Sequence, residues 1–225
     1  MEKVSFLVEQ TGESALRIVG NYWQGSTSRG VLLLHMMPAG KESWNDFAYA
    51  LNRVGFYVLA IDLRGHGESR HYEFDHKSLE IDFTKFTDED HQASIKDVEG
   101  AINFLSSKKL QREHITIGGA SIGANLALWY TADHLDIRSA FLLSPGLNYK
   151  GILADHYMKK TRSSQKIFMS AASDDPYSKK SVEALTPLGL SEKTNRLFES
   201  GGHGTKLLEA RPELADDILR WLQEA

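Results

Sequence analysis

The chain contains no cysteine. That excludes disulfides, thiolate nucleophiles and cysteine-bound metals, and it is compatible with a reducing compartment. Long hydrophobic runs are missing too. No stretch approaches the roughly 20 apolar residues of a membrane span, and the opening Met1-Glu2-Lys3-Val4-Ser5-Phe6 has no h-region of a signal peptide. Charge of one sign is scarce: 26 Lys and Arg stand against 30 Asp and Glu, a net −4, with no basic cluster suited to nucleic acid or an anionic membrane. There is no G-x-x-x-x-G-K-[ST] phosphate loop, no G-x-G-x-x-G dinucleotide fingerprint and no H-E-x-x-H metal spacing; His71, His76 and His91 are scattered. No cofactor and no metal are therefore expected. What remains, 41% apolar and 25% charged over 225 residues, is the balance of an ordinary soluble globular protein. The expectation is one domain over residues 1–225, cytoplasmic, with a small molecule as partner.

Periodicity orders the chain. Residues 3–9 and 15–22 read as two strands joined through Thr11-Gly12-Glu13, an N-terminal β-hairpin. A continuous apolar run at 31–35 and the segments 56–63 and 115–117 read as buried strands, 137–143 and 166–172 as further strands, and 196–200 as the last strand. Helical segments are expected at 43–54, 88–107 (with Ala93, Val98, Ala101, Ile102 and Leu105 at helical spacing), 122–130, 178–190 and 206–224. Residues 70–87 read as an irregular excursion and 147–165 as a short insertion over the top of the sheet. Strand and helix alternate five times, the pattern of an α/β protein with a mostly parallel central sheet and helices on both faces. Ligands bind such sheets at the carboxyl ends of the strands.

At one of those ends stands Gly119-Ala120-Ser121-Ile122-Gly123, between a β-branched run and an apolar helix. A serine at the apex of so sharp a turn sits in strained backbone, and strand and helix approach so closely that Gly119 and Gly123 have room for little beyond hydrogen. The turn lifts the hydroxyl above the sheet edge. It also aims the Ile122 N–H, at a helix N-terminus, at any oxyanion formed beside Ser121. A serine hydroxyl needs an adjacent base at neutral pH, and His203, flanked by glycines after the last strand, is free to reach outward.

The order of these elements, the Gly119–Gly123 turn, the segment Asp62-Leu63-Arg64-Gly65-His66-Gly67-Glu68-Ser69 and the terminal Gly201-Gly202-His203-Gly204-Thr205 together resemble the α/β-hydrolase family over nearly the whole chain. The resemblance implies an α/β-hydrolase fold with a small cap and a triad in chain order Ser, acid, His. Ser121, Asp175 and His203 fit that order. The family's spacing after the strand ending at Ala172 places the acid at Asp175, with Asp174, one residue off, as a turn or N-cap carboxylate instead. It places the second oxyanion donor at the Met37 N–H, in a loop that reads His35-Met36-Met37 where glycine usually stands at the position of Met36. His35 and His66 read as structural. The implied activity is a carboxylesterase-like serine hydrolase, cleaving esters of small to medium acyl groups through an acyl-enzyme. The alternatives are a thioesterase or small peptidase on the same triad, or a non-catalytic binder of a small ligand.

Overall fold

Strands that are apolar on both faces are satisfied only inside a sheet covered on both sides. In the computed structural model, which describes residues 1–10, 15–74 and 77–224, that is where they lie. The strands are β1 (Glu2–Glu9), β2 (Ala15–Trp23), β3 (Gly30–Leu34), β4 (Tyr57–Ile61), β5 (His71–Phe74), β6 (Lys77–Glu80), β7 (Ile115–Ala120), β8 (Ser139–Leu143), β9 (Asn148–Tyr149), β10 (Ile152–Leu153), β11 (Lys166–Ala172) and β12 (Glu192–Phe198). The helices are α1 (Asn45–Arg53), α2 (Asp88–Gln92), α3 (Ile95–Ser107), α4 (Ile122–Asp133), α5 (Ala154–Lys160), α6 (Pro176–Leu185), α7 (Lys206–Ala210) and α8 (Pro212–Glu224). One sheet runs β12-β11-β8-β7-β3-β4-β2-β5-β6, with β1 paired to β2. Neighbours from β12 to β4 are parallel, and β2, β5, β6 and β1 join antiparallel.

Side-chain alternation sorts the core into two layers. On β3, Leu32 and Leu34 face one layer with α3, α4, α5 and α6; Val31 and Leu33 face the other, with α1, α7 and α8. All four are fully buried. Burying a single leucine is worth about 1.5–3 kcal/mol, so a one-residue slip, which would swap the two layers, is strongly disfavoured. Packed on β7 and β8 and flanked by α3 and α5, α4 is buried on nearly every side, as its mostly apolar sequence requires. No helix among the described residues is long and apolar enough to cross a membrane.

Several elements differ from the sequence expectation, each for a physical reason. Residues 70–87 are not wholly irregular: β5 pairs with β2 and β6 with β5, extending the sheet at its edge. The last strand starts at Glu192 rather than 196, because β12 is a polar edge strand with no apolar run to announce it. The helix expected over 88–107 is broken into α2 and α3 at residues 93–94. The C-terminal segment breaks where Pro212 begins α8. The hairpin turn expected at Thr11-Gly12-Glu13 lies outside the described residues, as does His76, although the β1–β2 pairing runs from Glu2↔Tyr22 to Glu9↔Ala15.

Candidate active site

Ser121 caps α4 with φ 55° and ψ −119°, in the left-handed half of backbone space. Its N–H is tied to the Leu143 carbonyl on the neighbouring β8 at 2.9 Å. A Cβ added at Gly119 would lie 2.1 Å from the Gly123 carbonyl oxygen, and one at Gly123 would lie 2.4 Å from the Leu34 oxygen. Both are impossible contacts, so strand and helix meet through hydrogen alone. The turn thus fixes the serine at the carboxyl end of β7, where it is 8% exposed beside the fully buried Ala120.

The loop between β11 and α6 carries both aspartates, and they do different work. Asp175 is the N-cap of α6, where its carboxylate accepts the Ser178 N–H at 3.3 Å and lies 2.6 Å from Nδ1 of His203. Burial alone would raise its pKa, but hydrogen bonds from Ser178 and His203 outweigh that and hold the carboxyl below its ordinary value. Asp174 is not the cap. Its carboxylate accepts the N–H groups of Gly201 and Gly202 at 3.1–3.2 Å, fastening the loop that presents His203. The far end of that loop is fastened by Ser144, whose Oγ accepts the Gly204 N–H at 2.9 Å.

The loop after β3 runs His35-Met36-Met37-Pro38, with a cis peptide before Pro38. Among the described residues the N–H groups of Met37 and Ile122 have no hydrogen-bond partner. Met36 is outside the left-handed region, so no glycine is required there. Its sulfur instead packs against the His203 loop, 2.4 Å from where a Cβ on Gly204 would sit. Underneath, Lys41 is 1% exposed and pairs with the fully buried Asp62 at 2.7 Å and with Glu68 at 3.0 Å. Asp62 also accepts the backbone N–H groups of Lys41 and Glu68. Burial works against the ammonium, but its hydrogen bonds to Asp62, Glu42 and Glu68 prevail and raise its pKa. The Asp62–Ser69 segment is therefore a brace for the loop.

His35 holds the loop to the end of β4. The Leu63 N–H donates to its Nε2 at 3.0 Å, so the ring's own proton is on Nδ1 and goes to the Met36 carbonyl at 2.9 Å. Burial first, then repulsion from His66, pushes the pKa down to about 4. The unfolded chain binds this proton near pH 6.5. Stability from His35 is thus complete above about pH 6.5 and lost as pH falls towards 4. The slope is at most about 1.4 kcal/mol per pH unit for this one proton. His66 and His91, also lowered chiefly by burial, add to it. Urea midpoints at pH 7.5, 6, 5 and 4 should fall progressively below 6.5; a flat series would refute the assignment.

Several groups near the serine carry no signal in the sequence. Tyr149, in the two-residue strand β9, has its hydroxyl 3.3 Å from Ser178 Oγ and packs edge-on against His203, with ring centroids 6.3 Å apart. Asn125, fully buried one turn into α4, ties that helix to Gly146 and Ile152. A groove of about 270 Å³ opens beside Met37 and Pro38, walled by Phe83 and Phe86 with His91 and Lys150 at its side. Among the described residues no group of three or more acidic or histidine side chains is arranged to hold a metal ion.

Comparison with known proteins follows the same lines. The sequence model of the alpha/beta hydrolase fold matches residues 30–164. No curated protein sequence matches the chain. Among solved structures, a dienelactone hydrolase from Anabaena variabilis superposes with TM-score 0.73 at 17% identity, over 99% of this chain and 97% of that one. An esterase from Pyrococcus furiosus gives TM-score 0.72 at 14% identity, over 99% and 91%. A carboxylesterase from Mesorhizobium loti gives 0.63 at 19% identity, over 98% and 99%.

Proposed function

The chain belongs to the α/β-hydrolase family, and from that premise we propose that it is a serine hydrolase of carboxylic esters with small to medium acyl groups. The observation that carries the reading is the 2.6 Å contact between Asp175 and the Nδ1 of His203. An imidazole so held has its proton on Nδ1 and its Nε2 lone pair free for a hydroxyl proton. Ser121 attacks the ester carbonyl while His203 takes its proton. The oxyanion lies against the Met37 and Ile122 N–H groups, which have no other partner among the described residues. His203 then returns the proton to the leaving alcohol, and water repeats the sequence on the acyl-enzyme. Asp175 fixes the tautomer and stabilises the imidazolium without taking the proton itself.

The groove beside Met37, which reaches the proposed oxyanion donor but none of the triad side chains, supports a small substrate. At about 270 Å³ it falls under the roughly 300–1,000 Å³ of pockets that engulf drug-sized ligands. An acetyl, butyryl or small aryl group fits such a space. The fold likeness to esterases supports ester over amide chemistry. The whole of residues 1–225 is taken as one hydrolase domain, with β9, β10 and α5 as its small cap. The test is a panel of p-nitrophenyl esters of increasing acyl length beside acyl-CoA thioesters and peptide anilides. The expected result is fastest turnover on the two- to six-carbon esters. Faster turnover of the thioesters or anilides would overturn the ester assignment, and turnover of none would leave a ligand-binding protein.

A further inference from the structure

Residues 201–204 present His203, and they do little to hold themselves. Gly202 and Gly204 are left-handed, with φ 72° and 63°, and the loop's glycines bring no side chains to pack. The loop is held from outside instead. The Gly201 and Gly202 N–H groups go to the Asp174 carboxylate, beyond the end of β11, and the Gly204 N–H goes to Ser144 Oγ, beyond the end of β8, at 2.9 Å. Met36 also packs against Gly204, its sulfur 2.4 Å from where a Cβ would sit, which blocks movement towards the oxyanion loop. Gly204, next in the chain to His203, is thus the tightest point of the loop.

Ser144 makes this contact from strained backbone. It is fully buried, and its φ is 51°, in the left-handed region that L side chains avoid. Glycine would suit that backbone better. What serine adds is a hydroxyl, and the hydroxyl accepts from Gly204. Strained residues persist where their surroundings over-determine them, and they gather where geometry matters to function. Here the Ser144 N–H donates to the Ser170 carbonyl at 2.8 Å, carrying the pairing of β8 with β11 one residue further. One residue earlier, the Leu143 carbonyl accepts the Ser121 N–H at 2.9 Å. Two adjacent residues at the end of β8 therefore hold the backbone of Ser121 and the backbone beside His203.

Resting on the serine-hydrolase reading above, we propose that Ser144 is a positioning residue through which the end of β8 sets the spacing of nucleophile and base. Leu143 fixes Ser121, and the Ser144 hydroxyl fixes Gly204 and with it His203. This role needs no contact with substrate and no proton transfer by Ser144. It acts through His203 alone. The contact of Nδ1 with Asp175 pins one point of the imidazole, and a single hydrogen bond leaves the ring free to swing about that point. The anchor at Gly204 limits the swing and keeps Nε2 aimed at the serine.

Ser144→Ala and Ser144→Gly both remove the acceptor, and the second also removes the backbone strain. Measured on p-nitrophenyl butyrate, both should lower kcat about 10- to 100-fold, the loss that follows a misplacement of about 1 Å, with KM nearly unchanged. The rate at which a fluorophosphonate labels Ser121 should fall by the same factor. The thermal midpoint of Ser144→Gly should be at or above that of Ser144→Ala. A residue that served stability alone would instead show activity recovering with the midpoint in the glycine variant, and that result would overturn the proposal. In a His203→Ala background, Ser144→Gly should lose nothing further, since both act at one base; a further loss there would overturn it as well. Wild-type kcat and labelling in both variants would do the same while the hydrolase reading stood. A wild-type protein that does not label at Ser121 would overturn the hydrolase reading and this proposal with it.

Discussion

Ser121→Ala is expected to lower kcat on short p-nitrophenyl esters by about 10⁴-fold or more, with the unfolding midpoint little changed. The serine's backbone is held by its N–H bond to Leu143 and by the contact of Gly119 with Gly123, neither of which involves its hydroxyl. Alanine keeps that geometry and removes only the proposed nucleophile. Fluorophosphonate labelling should vanish with it; labelling that persists on another residue would sink the assignment. The same assay separates the two aspartates. Asp175→Asn leaves an amide facing His203 Nδ1, allows the wrong tautomer, and should approach the loss of Ser121→Ala. Asp174→Asn keeps an oxygen for the Gly201 and Gly202 N–H groups and should cost far less. Equal losses would reverse the roles given to them.

The largest expected effect on stability lies away from the serine, at the ion pair of Arg64 and Asp97. Arg64 is 3% exposed and Asp97 fully buried, and the carboxylate takes the guanidinium at 2.6 Å and the Arg64 N–H at 3.0 Å. Asp97→Ala strands a buried cation and a backbone donor together. Such one-sided removal costs about 3–5 kcal/mol, which is a large part of the roughly 5–15 kcal/mol that holds a domain folded. Urea unfolding should show the loss as a lowered midpoint. Replacing both partners, Arg64→Met with Asp97→Leu, should recover much of it, because no charge is then left without a partner. A loss under about 1 kcal/mol for the single variant would mean that water reaches the pair.

The parts of the fold legible in the sequence are those where both faces of a strand are dry. Residues 31–34 and 58–61 read as unbroken apolar runs, and 166–172 departs from one only at Lys166 and Ser170, because helices cover both sides of the sheet. The edges gave no such signal. β12 offers Glu192, Lys193, Asn195 and Arg196 to solvent, and β9 and β10 are two residues long, shorter than any period. The serine's turn was legible because its steric demand falls on neighbours within two residues. The work of Asp174 was not, since it depends on the N–H groups of Gly201 and Gly202, 27 and 28 residues further on. Lys41, Asn125, Ser144 and Tyr149 were missed for the same reason: each is a polar residue whose acceptor or donor comes from a distant segment. Met36 shows the converse. Its sequence position called for glycine, but the loop takes an ordinary backbone conformation there and uses the thioether as padding for Gly204.

The sheet order places the two halves of the proposed chemistry at different depths. Ser121 follows β7, which has strands on both sides, while His203 follows β12, the polar strand at the sheet's margin. Local opening costs least at such margins and most at the centre. A molecule that frays therefore parts with its base first. What it retains is a serine with nothing to deprotonate it, no more reactive than any other hydroxyl on a protein surface. On the proposed chemistry, partial opening at this margin would silence the site and would not leave an activated serine behind.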